Sequence, residues 1–165
     1  MAVETIFYNC ELGILKISAT DSHILEITFV ENEGTPALVD ETIRSQVLKT
    51  CKTQLDEYFS GELKEFSFPC QQNGTQFQQK VWGELSAIPF GKTISYLQLS
   101  KKLGNIKAIR AAASANGKNS LAIVVPCHRV IGSNGSLVGY AGELWRKKWL
   151  LNHEARYARG LQFLF

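Results

Sequence analysis

Two capping boxes, twenty positions apart, constrain the C-terminal half of this chain more than any other feature. Thr75-x-x-Gln78 and Ser95-x-x-Gln98 each place a hydroxyl where it caps a free backbone N–H, and a glutamine where it reaches back to the cap residue. Each box therefore predicts a helix start. Phe77, Val81, Trp82 and Leu85 form an apolar stripe behind the first, and Pro89-Phe90-Gly91 ends that helix. The second box opens a short helix ending at Gly104, and Asn105 caps a third helix from about Ile106 to Ala115. Two short helices across a Gly-Asn turn resemble a helix-turn-helix, a pattern that many non-binding helix hairpins share. The third helix carries Ala108, Ala111, Ala112, Ala113, Ser114 and Ala115, with Arg110 projecting from it. A small-residue face suits close packing against a core. With an arginine beside it, the same face suits approach to a DNA groove.

Upstream, Thr5 to Asn9, Ile14 to Ala19 and Ile24 to Val30 read as strands separated by turn residues. Val39, Ile43, Val47, Cys51, Leu55 and Tyr58 share one helical face, with Gly61 as its stop, and Phe66 to Phe68 reads as one more strand. Composition shifts at Gln71-Gln72-Asn73-Gly74. The expected organisation is an α/β domain with a small antiparallel sheet over 1–72. A mainly helical domain holding the helix-turn-helix follows over 73–165.

The chemistry concentrates at Pro126-Cys127-His128-Arg129-Val130, which follows the apolar run Leu121-Ala122-Ile123-Val124-Val125, expected to be a short buried strand. A buried thiol is inert because burial disfavours the thiolate, whereas a thiol beside a base and a cation can be a nucleophile. The four cysteines, Cys10, Cys51, Cys70 and Cys127, form no Cys-x-x-Cys pair, and His23, His128 and His153 are not at ligand spacing. No metal or other cofactor is expected. Reduced thiols and the absence of a leader-like or membrane-spanning stretch lead to the expectation of a cytoplasmic protein, nuclear if its source is eukaryotic. The net charge of +3 is modest. Lys101, Lys102, Lys107, Arg110, Lys118 and Arg129 nevertheless share a window free of Asp and Glu, which makes phosphate a natural partner. Gly132, Gly135 and Gly139 punctuate a loop leading through Tyr140-Ala141-Gly142 to a last helix whose Leu144, Trp145, Trp149 and Leu151 are expected in the core.

In order along the chain stand Gly74-Thr75-x-Phe77-Gln78-x-x-Val81-Trp82, Ile88-Pro89-x-Gly91-x-Thr93-x-Ser95-Tyr96-x-x-Leu99, Arg110-Ala111 and Asn119. Pro126-Cys127-His128-Arg129-Val130-Ile131, Gly139-Tyr140 and Leu150-Leu151-x-x-Glu154 complete the set. From about residue 74 to 154 the chain resembles the O6-alkylguanine-DNA alkyltransferases. The resemblance implies a DNA repair protein that binds double-stranded DNA carrying O6-alkylguanine, flips the damaged base into a pocket and keeps the alkyl group on Cys127. O4-alkylthymine stays open as a second substrate. It further implies that His128 is a base acting through water, that Glu154 orients His128, and that Asn119 bonds across the active-site turn. Tyr96, Arg110, Ala108, Ala111, Arg129, Val130, Tyr140 and Ala141 would contact DNA or the flipped nucleotide, with Arg110 filling the vacated space. One molecule would repair one lesion, because water does not readily hydrolyse a thioether. Such a protein is expected to be a monomer, with cooperative association on DNA left open.

Ile109, Ala112-Ala113, Ser120, Ala141 and Glu143 depart from the residues usual in that family. A non-enzymatic sensor of alkylated DNA and a helix-turn-helix regulator remain as alternatives, and a Cys-His hydrolase as a third. None of the three would load Cys127 stoichiometrically with label from alkylated DNA. Replacing Glu154 by glutamine is expected from the sequence to slow transfer while leaving the fold largely intact.

Overall fold

The computed structural model describes residues 2–31 and 42–160. Strands β1 (Glu4–Cys10), β2 (Gly13–Ala19) and β3 (Ile24–Phe29) form an antiparallel meander in sequence order. Ile6 pairs with Ile17 and Ile17 with Ile27, so one row of β-branched side chains crosses the sheet on its buried face. Helix α1 (Gln46–Ser60) presents Val47, Leu48, Cys51, Leu55 and Tyr58 to the core. Ser45 caps it by accepting from the Leu48 N–H at 3.2 Å, and Gly61 closes it in the left-handed conformation at φ 90°. The apolar stripe predicted an earlier start, but Ile43 lies outside the helix because the Ser45 cap fixes its first turn, and Val39 lies outside the described residues.

Phe66 to Phe68 is not a strand. The Gln54 side chain accepts from the Ser67 backbone N–H at 2.9 Å and donates to its hydroxyl at 2.6 Å, satisfying an irregular backbone that needs no sheet partner.

The chain divides into two compact units, 1–72 with 120–122, and 73–119 with 123–165. A single break after residue 72 therefore misses one excursion. Ser120–Ala122 adds to the edge of β3, where Ile27 N–H donates to the Ser120 carbonyl at 2.8 Å and Ala122 N–H to the Ile27 carbonyl at 3.0 Å. Ser120 also donates to the Gln72 side-chain oxygen from both its backbone N–H and its hydroxyl, each at 3.0 Å. The expected strand Leu121 to Val125 is thus a single bridge at Leu121 followed by a turn. Ile123 sits at φ 73°, a conformation that opposes a β-branched residue, while its side chain is 1% exposed. Burial, not strand geometry, accounts for that apolar run.

In the second unit α2 (Gln76–Ser86) and α3 (Tyr96–Lys102) begin at the predicted capping boxes, with both reciprocal bonds formed at each. The α2 stripe buries Val81, Trp82 and Leu85, but Phe77 in its first turn is 36% exposed. Trp82 donates from its indole N–H to the Ala115 carbonyl at 2.9 Å. A side chain at Gly74 would stand 2.5 Å from the Trp82 ring, so glycine is required there. The third predicted helix is a short 3-10 turn over Ile106–Ala108 running into α4 (Ile109–Gly117). Asn105 caps that turn through Lys107 N–H at 3.0 Å. The two-residue strand β4 (Ile94–Ser95) pairs in parallel with β5 (Val130–Ile131), which brings the 3-10 turn Cys127–Arg129 beside the start of α3. Helix α5 (Leu144–Arg159) closes the unit. Among the described residues no helix is long and apolar enough to cross a membrane.

Candidate active site

Pro126 shapes the Cys127 turn. At φ −81° and ψ 65° it has inverse γ-turn geometry, and Cys127 N–H donates to the Val125 carbonyl at 2.8 Å. The same carbonyl accepts from the Asn119 side chain at 2.8 Å, so Asn119 does span the turn. Cys127 is 6% exposed and lines a cavity of about 340 Å³ with Tyr96, Ile109, Arg110, Tyr140 and Ala141. Burial pushes its thiol pKa up, against the Asn119 hydrogen bond and the Lys147 charge, which pull it down. The resting group is a thiol that needs a base.

His128 is fully buried, and its Nε2 lies 2.8 Å from Glu154 Oε2. Glu154 also accepts from Arg129, at 2.8 Å from Nε to Oε1 and 2.9 Å from Nη2 to Oε2. Burial works to raise the Glu154 pKa, but His128 and Arg129 overcome it and hold the carboxyl well below its usual range. Burial lowers the His128 pKa despite the carboxylate, so the ring is neutral near pH 7. A neutral ring that donates from Nε2 leaves a lone pair on Nδ1, and Nδ1 has no hydrogen-bond partner among the described residues. The ring is therefore held in the tautomer that can accept a proton.

Arg129 and Val130 differ from the sequence expectation. Arg129 is 6% exposed, and its remaining guanidinium nitrogen donates to the Ile88 carbonyl at 2.6 Å. It is the counter-ion of Glu154 and no part of the exposed basic face. Val130 is fully buried, and its carbonyl accepts from Lys147. Neither residue lines the cavity. Ala108 is half-buried and Ala111 exposed on the helix-turn-helix, also away from the cavity wall, and Lys101, Lys102, Lys107, Arg110 and Lys118 remain exposed. Because Arg129 depends on the Glu154 carboxylate, replacing Glu154 alone would strand a buried guanidinium. A Gln variant is therefore expected to lose stability, contrary to the sequence expectation of a largely intact fold.

Sequence reasoning missed Lys147. Its ammonium is fully buried and donates to the carbonyls of Val130, Val138 and Gly139 at 2.6, 2.9 and 3.1 Å. It thereby ties the loop before α5 to the strand after the cysteine. Burial lowers its pKa to about 8, and Cys127 opposes that shift. A signal was present in the spacing, because Lys147, Leu150, Leu151 and Glu154 share one helical face, and charges at core positions of an amphipathic helix are informative. Asn116, a polar residue on the alanine face of α4, was also passed over. It lines the cavity and donates to Tyr96 Oη at 3.4 Å and to the Cys127 carbonyl at 3.3 Å.

Leu144 and Trp145 are not core residues, each being 49% exposed. The Trp145 indole donates to Glu143 Oε2 at 2.8 Å. Glu143 adopts φ 78° and ψ 147°, a backbone conformation that favours glycine, and its N–H donates to the Tyr140 carbonyl at 3.1 Å.

Comparison with known proteins accounts for both units. Residues 4–72 match the ribonuclease-like domain of 6-O-methylguanine DNA methyltransferases, and residues 76–156 match their DNA binding domain. A methylated-DNA–protein-cysteine methyltransferase of Mycolicibacterium paratuberculosis is 39% identical over 154 residues, 93% of each chain. A constitutive methylated-DNA–protein-cysteine methyltransferase of Bacillus subtilis is 53% identical over 108 residues, 65% of this chain and 66% of its own. The crystal structure of Mycobacterium tuberculosis O6-methylguanine methyltransferase superposes with a TM-score of 0.83 at 37% identity, covering 97% of both chains. Mycobacterium tuberculosis OGT in complex with DNA gives 0.81 at 37% identity, covering 94% of this chain and 93% of that one. With domain matches across both units and relatives similar over nearly the whole chain, this chain belongs to the 6-O-methylguanine DNA methyltransferase family.

Proposed function

We propose that this chain repairs DNA by direct reversal, moving an alkyl group from O6 of guanine in double-stranded DNA to Cys127, once per molecule. The observation that carries the reading is a thiol at the wall of a base-sized cavity, backed by a buried His128–Glu154 pair. A base inside a duplex is out of reach of such a thiol, so the nucleotide must be flipped out. Arg110, exposed at the cavity edge, fills the space the base leaves.

The chemistry follows from the geometry. His128 Nδ1 takes the Cys127 proton through a water, and the ionised Glu154 stabilises the imidazolium. Arg129 keeps Glu154 ionised. The thiolate attacks the alkyl carbon in line, an S–C bond forms, the C–O6 bond breaks, and its electron pair passes to the guanine. The Tyr96 hydroxyl and the backbone N–H groups of Tyr140 and Ala141 offset the charge on the departing base. Lys147 supplies a positive charge near the sulfur. Asn119 holds the turn that aims it. No cofactor takes part. The protein acts as a monomer, and its place is the cytoplasm, a reading supported by relatives in Mycolicibacterium paratuberculosis and Bacillus subtilis.

Incubation with DNA radiolabelled in the O6-methyl group tests this directly. One equivalent of label should appear on Cys127 and stop there. Binding without label would return the lesion sensor, and repeated turnover would return the hydrolase.

A further inference from the structure

Asn116 carries an acceptor that the fold leaves unused. It is 4% exposed, and with Ala112 and Ala115 it makes the buried face of α4. The Cys127 carbonyl can only accept a hydrogen bond, so the amide group facing it at 3.3 Å is the donor NH₂. The orientation of Asn116 is thereby fixed by chemistry. Its Oδ1 is buried with no hydrogen-bond partner among the described residues, in a side chain that lines the cavity beside Tyr96 and Cys127. A buried acceptor without a partner is costly, and the cost is relieved when a ligand brings a donor.

Alkylation at O6 removes the hydrogen from N1 of guanine. The exocyclic 2-amino group is then the only N–H donor on the base. Thymine alkylated at O4 loses its N3 hydrogen and has no amino group, so it brings no N–H donor at all. We infer that Asn116 Oδ1 accepts a hydrogen bond from the 2-amino group of the flipped O6-alkylguanine, making Asn116 a residue that selects guanine lesions over thymine lesions. The inference rests on the alkyltransferase reading above. The amide has a second consequence. Its NH₂ group occupies the Tyr96 oxygen at 3.4 Å as a donor, which leaves the phenolic hydrogen free to point at the base.

Single-turnover transfer to the full chain, measured with duplexes carrying O6-methylguanine, O6-methylhypoxanthine or O4-methylthymine, tests it. O6-methylhypoxanthine is the same lesion without the 2-amino group. The parent should react about tenfold or more faster with O6-methylguanine than with O6-methylhypoxanthine, the ratio one hydrogen bond supports. In Asn116→Ala and Asn116→Ser that ratio should collapse toward one, and the margin over O4-methylthymine should shrink with it. Each ratio is taken within one protein, so a partial loss of folded material cancels. The parent ratio needs no variant, and a value near one overturns the inference by itself. So does a ratio that survives in both variants. Failure of the parent to take up label from any of the three duplexes would instead remove the alkyltransferase reading on which the inference stands.

Discussion

Glu154→Gln should destabilise the protein strongly, because the carboxylate serves two buried partners and glutamine can serve only one. In the folded chain Glu154 is 1% exposed and accepts hydrogen bonds from the His128 ring and from both Nε and Nη2 of Arg129. The glutamine is nearly isosteric, so no cavity forms. It removes the negative charge that faces a guanidinium only 6% exposed, and it aims an NH₂ group at donors. Removing one partner of a buried ion pair costs about 3–5 kcal/mol. A domain of this size shifts by about 2–4 °C per kcal/mol, so the melting midpoint should fall by roughly 6–20 °C. The effect has a defined pH window. The folded-state pKa of Glu154 lies below its ordinary value of 4.5, so its contribution is fully present above that value and lost as pH falls through the folded value. The gap between parent and variant should be constant near neutrality and narrow below about pH 4.5. Calorimetric melts of both proteins from pH 7 down to the acid limit of folding would measure it. Adding Arg129→Met to the variant should recover part of the loss, since the stranded charge is then gone. A Gln variant melting within about 2 °C of the parent, or a double variant worse than the sum of its singles, would refute the reasoning.

Cys127→Ser should abolish transfer and leave DNA binding, because a hydroxyl is a poor nucleophile at neutral pH and the helix-turn-helix is untouched; a gel-shift paired with a label-transfer assay separates the two. Arg110→Ala should slow repair of duplex DNA far more than reaction with free O6-benzylguanine, since the free base needs no nucleotide extruded. Equal losses on both substrates would place Arg110 in the pocket chemistry or in folding. His128 is buried neutral with a pKa below its ordinary 6.5, so the unfolded chain binds a proton there that the folded chain refuses. Stability from this residue is fully present above about pH 6.5 and declines as pH falls from there, and His128→Asn should flatten that part of a denaturation-against-pH profile.

Much of the fold was legible because local chemistry dictates it. The Thr75 and Ser95 boxes, the Gly61 stop and the strand meander depend on residues within a few positions of one another, and each formed where the sequence placed it. Family-level motifs around Cys127 were equally legible, since they lie in order along the chain. Where the sequence misled, it did so because burial and periodicity do not reveal partners. The apolar run Leu121 to Val125 promised a strand, yet among the described residues it pairs with β3 through a single bridge at Leu121, and Ile123 turns at a positive φ instead of extending. Arg129 looked like part of a basic face, because nothing local shows that Glu154, twenty-five residues away, neutralises it. Lys147 and Asn116 looked like ordinary helix residues. Their importance comes from carbonyls at Val130, Val138, Gly139 and Cys127, which other segments supply. Local sequence thus determined where the capped helices α2 and α3 start, where α1 stops, and that Cys127 has a histidine and an arginine beside it in the chain. Only tertiary structure decided which buried charges and dipoles face one another, because a polar group in a low-dielectric interior is defined by the partner the fold brings to it.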